Sequence, residues 1–242
     1  MTNKKSIWKV IILFIVSLVL LAVAVVEMYR QGVIPHHAYT EQDFHIERVV
    51  SAYDYNKNKV DDYTDFLLGA REDAANYPYF ETTTGQEENV SQDKRDVCPG
   101  MIWRAFWKAG YNLKGMVNED IKANKAWYPA IKGDYDPETD FHQVENLKVF
   151  FERYALNLTT DPYEIAEWQP GDIVIFGADH IGVISDKRNR QGIPYLIHTC
   201  SYPNVEGDML VQLHESDPVS GHYRFQGDAA YRGIFQKVQV YY

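Results

Sequence analysis

From Val10 to Val26 every residue except Ser17 is apolar, and Ile7 and Trp8 extend the run at its front. That approaches the roughly 20 residues a helix needs to cross a bilayer core, so a membrane-spanning helix is predicted here. Lys4, Lys5 and Lys9 precede the run and only Arg30 follows closely. The positive-inside bias therefore places the N-terminus in the cytoplasm and the rest of the chain outside. The alternative is a cleaved signal peptide and a secreted product, for which Ala22-Val23-Ala24 offers a small-x-small site. The apolar run passes through that site without a polar break, which favours an uncleaved, single-pass anchor.

Residues 1–30 are thus read as a cytoplasmic stub and anchor, 31–40 as a juxtamembrane linker, and 41–242 as one domain with its own core. The formal charge is -10, and no basic run or stripe offsets it, which excludes electrostatically driven nucleic-acid binding. Cys98 and Cys200 are the only cysteines, too few for a disulfide scaffold. A thiol kept unpaired outside the cell is exposed to oxidation, so at least one of the two is expected to have a chemical role.

Thr40 and Asp43 have capping-box spacing, and Ile46, Val49, Val50 and Tyr53 follow at helical spacing, which predicts a helix over 41–53. Asp54, Asn56, Asn58, Asp62 and Asp65 then occupy positions 1, 3, 5, 9 and 12 of a loop resembling the calcium loops of EF-hands. Lys59 stands where that loop wants glycine and Asp65 replaces the longer glutamate, so a solvated acidic turn competes with a structural calcium site. Glu81 to Arg95 is polar and aperiodic, an exposed loop next to the following helix. From Trp168 onward short apolar runs at 173–176, 181–184 and 195–199 alternate with turn residues, which predicts a three-strand antiparallel meander. Helices first and strands later give an α+β domain.

Around Cys98, Pro99 near the start and Gly110 past the end bracket a short helix. Ile102, Ala105, Phe106 and Ala109 recur at helical spacing and bury one face. Cys98 then sits at the N-cap, where unpaired N–H groups favour the thiolate that attacks carbonyls. A lone cysteine is more often a small core residue; the reading as nucleophile needs a base and a group to orient it. His180 opens one predicted strand and His198 nears the end of the next, so antiparallel pairing sets the imidazoles side by side. His180 shares a strand face with Gly182, where glycine leaves room for a helix or substrate. One histidine would take the thiol proton and the other would fix its tautomer.

Cys98 opening a helix, then Gly171-Asp172-Ile173-Val174-Ile175-Phe176, then His180-Ile181-Gly182-Val183-Ile184, then Ile197-His198, resembles the NlpC/P60 cysteine peptidase superfamily. More narrowly, His142-x-Val144-x-Asn146-Leu147 with Phe150-Phe151, Trp168 to Asp172, and Gly221-His222-Tyr223-Arg224 resemble the DUF1287 family, over about Asp54 to Phe225. The resemblance implies a papain-like fold, with the nucleophile at a helix N-terminus packed on a small antiparallel sheet. It also implies a Cys-His-His triad of Cys98, His180 and His198, cleavage of amide bonds in cell-wall peptides, and no cofactor required for catalysis. Pro99-Gly100 stand where that branch usually has Thr-Asp. Proline has no N–H, so the Cys98 amide and a side chain are left to hold an oxyanion.

Cys200 follows His198 by two positions, which allows a bridge to Cys98, though a small buried residue is the simpler reading. A zinc site of Cys98, His180, His198 and Cys200 lacks the close ligand pairs that structural zinc uses. His142 and Asn146 share a helix face without an assigned role, and Trp168 and the 221–224 segment either wall a cleft or support the fold. The leading expectation is a membrane-anchored amidase or endopeptidase acting on peptidoglycan peptides. The alternatives are a catalytically silent wall-binding module, a thiol acyltransferase using the same thioester, and a protein-processing thiol peptidase.

Overall fold

The computed structural model describes residues 4–30, 34, 37–76, 97–198 and 205–227. The chain divides into two units, residues 1–37 and 38–242. In the first, α1 (Lys4–Arg30) is long and apolar enough over Ile7–Tyr29 to cross a membrane.

The second unit is α+β. Its helices are α2 (Asp62–Asn76), α3 (Val97–Lys108), α4 (Leu113–Asn124), α5 (Val144–Tyr154) and α6 (Leu210–Ser216). Its strands are β1 (Leu156–Asn157), β2 (Ile173–Phe176), β3 (His180–Arg188), β4 (Pro194–His198), β5 (Val205–Gly207) and β6 (Val219–Arg224). They form one open antiparallel sheet in the order β1-β6-β2-β3-β4-β5. The predicted meander is its centre, with Ile173 opposite Val183 and Val183 opposite Ile197.

Alternation along these strands sorts the core into two layers. Ile173, Ile175, Ile181, Val183, Ile197 and Tyr223 pack with α2 to α5, where Phe66, Phe106, Tyr111 and Phe225 form an aromatic centre. Val174, Phe176, Ile184 and Leu196 point to the other face and pack with Trp168, Met209 and Leu210. α3 ends where Gly110 takes a φ of +87°, and its buried side chains Met101, Ile102, Ala105 and Phe106 belong to the first layer.

The predicted helix over 41–53 is a correction. Only Glu41–Phe44 coils, as a 3-10 turn closed by the Thr40–Asp43 capping box, and His45 ends it in the left-handed region. The residues after it are held extended instead, with the Val49 N–H donating to the Gln169 side chain. Tyr39 exchanges two backbone hydrogen bonds with Arg188 at the irregular end of β3, so the folded unit starts before residue 41. The Glu81 to Arg95 loop lies outside the described residues.

The turn into β2 depends on Gly171, at φ +87°, where a Cβ would run into the Tyr63 backbone carbonyl. Gly171→Ala is expected to cost about 2 kcal/mol or more, read as a lower urea midpoint in detergent micelles. An unchanged midpoint would mean that α2 yields freely at Tyr63.

Candidate active site

The helix that carries Cys98 begins at Val97, so Cys98 is its second residue, in the first turn, and not the N-cap that was expected. Its thiol, and all of Cys200, lie outside the described residues. Beside it, Pro99 is buried, and the guanidinium of Arg104 lies against Gly100, 3.2 Å from where a Cβ would stand. Arg104 is fixed by an ion pair with the buried Asp73 of α2. Sequence reasoning missed this cation; its position four residues after Gly100, over the first turn, is the signal that was there.

His180 and His198 do meet: their ring centroids are 5.1 Å apart, edge to face. The Phe176 ring lies 5.5 Å from His180, as expected of cross-strand partners in the β2–β3 hairpin. Neither the Nε2 of His180 nor either ring nitrogen of His198 has a hydrogen-bond partner among the described residues. The two rings therefore touch without a hydrogen bond, and His198 does not fix the tautomer of His180 in this arrangement. Burial pushes His198 down to about 3, helped by repulsion from His180. Burial also lowers His180, opposed by the negative charges of Asp179 and Asp217. Both rings are therefore neutral at pH 7, the form in which an imidazole accepts a proton.

The pair occupies the sheet face of Val174, Phe176, Ile184 and Leu196, opposite the face on which α3 packs. Gly182 is on the histidine face as expected, but the space its missing side chain leaves is taken by Leu196 and the Ile197 carbonyl, each 2.8 Å from a Cβ there. It therefore admits a neighbouring strand, not a helix. His180 is the first residue of its strand, at the turn end of the β2–β3 hairpin.

The calcium-type loop divides. Asn56 and Asn58 donate side-chain amides to Asp65 at 2.8 and 3.0 Å, and Asp54 accepts from the backbone of Asn58 and Lys59. Lys59 takes the φ of +74° that glycine takes in such loops. Asp62 turns inward instead, accepting from the Tyr55 N–H and from the Tyr111 hydroxyl at 2.5 Å. Among the described residues no three His, Cys, Asp or Glu side chains are grouped to hold a metal ion.

The remaining polar candidates support the fold. Asn146 is buried and donates to the Asp140 carbonyl, and His142 packs on Phe141. Trp168 is fully buried, its N–H donates to the Asp161 carbonyl, and its ring stacks on His222 at 3.8 Å and 5°. The His222 Nε2 lies 2.9 Å from Asp172, and Arg224 donates to both carboxylate oxygens of Asp172 at 2.7 Å.

These features define an α+β protein with a central antiparallel sheet, a neutral pair of histidines, one buried and one half-buried, at one end of it, and a cysteine in the first turn of a core helix. Residues 76–225 match the family described as a domain of unknown function, DUF1287, and the chain belongs to that family. The match starts later than the resemblance read from the sequence, leaving the calcium-type loop outside it. An uncharacterized protein of Escherichia coli (strain K12), YijF, is 33% identical over 139 residues, covering 54% of this chain and 65% of that protein. The chain thus spans somewhat less than two thirds of that relative's length. No solved structure matches it.

Two outcomes follow from this geometry. Asp172→Asn leaves the buried Arg224 guanidinium short of its counter-charge and is expected to cost about 3–5 kcal/mol, measured by chemical denaturation. For His198 the folded value lies below the ordinary 6.5, so the unfolded chain binds the extra proton and stability falls as pH drops below that value. The loss approaches about 1.4 kcal/mol per pH unit. His198→Gln is expected to flatten the denaturation midpoint between pH 6.5 and 4; an equally steep profile would assign the acid lability elsewhere.

Proposed function

We propose that this protein is a cell-envelope thiol hydrolase of papain-like type that cleaves amide bonds in peptidoglycan peptides. The observation that supports it is the neutral, largely desolvated His180–His198 pair on adjacent strands, in a chain whose Cys98 lies in the first turn of a helix packed on that sheet. Cys98 is the nucleophile and His180 the base. The thiol proton passes to His180, the sulfur adds to the carbonyl carbon, and the C–N bond breaks as His180 returns the proton to the departing amine. Water then hydrolyses the thioester, with His180 taking and returning a second proton. His198 contributes as an apolar-buried neighbour that keeps His180 desolvated, with its role as orienter reserved for a hydrogen-bonded state of the pair. The helix over Ile7–Tyr29 holds the domain at the membrane, with the Lys4, Lys5 and Lys9 bias placing the domain outside.

A second reading, a silent wall-binding module, is favoured by one observation: α3 and the histidine pair belong to opposite faces of the sheet. Digestion of purified peptidoglycan by the full-length protein in detergent, beside its Cys98→Ala and His180→Ala variants, separates the two. Fragments identified by mass spectrometry that vanish in Cys98→Ala and fall at least about 100-fold in His180→Ala support the hydrolase. Pull-down on peptidoglycan without any Cys98-dependent fragment would support the binding module.

A further inference from the structure

The reaction above requires His180 to carry a positive charge between proton uptake and release. A buried imidazolium without a counter-charge costs several kcal/mol. His198, the ring it touches, is itself driven neutral by burial, and the Phe176 ring on the other side carries no charge. The compensating charge has to come from elsewhere.

Among the described residues, the charged groups that act on His180 are Asp179 on its own hairpin and Asp217 from the connection between α6 and β6. They are not equivalent. Asp179 is exposed, where water screens it. Asp217 is partly buried and its backbone is held in place: its N–H donates to the Leu213 carbonyl at 2.7 Å, and the neighbouring Pro218 carbonyl accepts from the Gly177 N–H at 3.0 Å. The Ser220 hydroxyl donates to the Gly177 carbonyl at 2.6 Å. The Asp217 carboxylate is pressed so closely on Gly177 that any side chain there would overlap both of its oxygens. Gly177, at φ +50°, opens the turn that His180 closes. The turn thus seats a carboxylate against Gly177, three residues before the base and within reach of its charge.

We infer that Asp217 is a positioning residue of the candidate centre, a fixed counter-charge for the protonated state of His180. The inference rests on the hydrolase reading for its role in turnover, but the charge coupling is measurable without turnover. In full-length protein in detergent micelles, the His180 imidazole is titrated by NMR with labelled histidine, in a Cys98→Ala background with and without Asp217→Asn. The His180 midpoint is expected to move to lower pH in Asp217→Asn and to return in Asp217→Glu. With Cys98 intact, Asp217→Asn is expected to lower kcat for peptidoglycan peptides about tenfold, leaving KM unchanged and shifting the acid limb of the pH profile in the same direction.

An unmoved His180 midpoint overturns the assignment whatever the activity. A midpoint that falls in both Asp217→Asn and Asp217→Glu also overturns it, because the effect then follows the packing against Gly177 and not the charge. A shifted midpoint without any Cys98-dependent turnover in the unmodified protein upholds the coupling and retires the hydrolase reading.

Discussion

The sheet is organised around one buried carboxylate. Asp172 stands immediately before β2 and accepts from the Gln169 N–H, from Arg224 through both oxygens, and from the ring of His222. Arg224 and His222 both lie on β6, so these contacts pin the β2–β6 register, with Val174 opposite His222. The other His222 nitrogen lies 2.8 Å from the Thr159 carbonyl. Trp168 stacks on that ring, and its own carbonyl accepts from the buried Arg188 at 2.6 Å. Arg188 in turn holds Glu41 and pairs with Tyr39, so a chain of charge-assisted contacts runs from the start of the folded unit to β6.

The parts legible in the sequence are those where local chemistry and tertiary packing agree. The meander was readable because Gly171, the Gly177 turn and the polar 186–192 stretch bound apolar runs that are buried on both faces. The Cys98 helix was readable from its one-sided apolar spacing and from Gly110. The helix expected over 41–53 fails because Ile46, Val49 and Val50 fall at helical spacing by coincidence. The Gln169 side chain captures the backbone that a helix would have used, accepting from Val49 and donating to the Glu47 carbonyl. β1 and β5 are too short to leave a pattern. They exist because neighbours already in place offer them hydrogen bonds.

For the candidate site, proximity was legible and chemistry was not. Strand order alone predicts that His180 and His198 are neighbours. It says nothing of the missing hydrogen bond between them or of how strongly burial suppresses His198, since both depend on the second apolar layer closing over Leu196 and Phe176. Gly182 shows the same limit: a small residue signals a close approach, but only the packing reveals that Leu196 makes it. Asp217 left no motif at all, because its link to His180 runs through Gly177 and not through sequence spacing.

The placement of the pair also explains why a base would be built this way. An imidazole in contact with water or with a strong hydrogen-bond acceptor is held half-protonated near neutral pH, and part of its population cannot take a proton. Burying His180 against Phe176 and a second neutral imidazole keeps it available as an acceptor. The same burial would make its protonated state unaffordable if it were complete. The hairpin end resolves the conflict: His180 is the first residue of β3 and only partly covered, so solvent and the Asp217 carboxylate both reach the region where charge develops. His198, the last residue of β4 but buried, has neither, and stays neutral. One residue type, two positions along adjacent strands, and a difference in burial divide the pair into a ring that can accept charge and a ring that cannot.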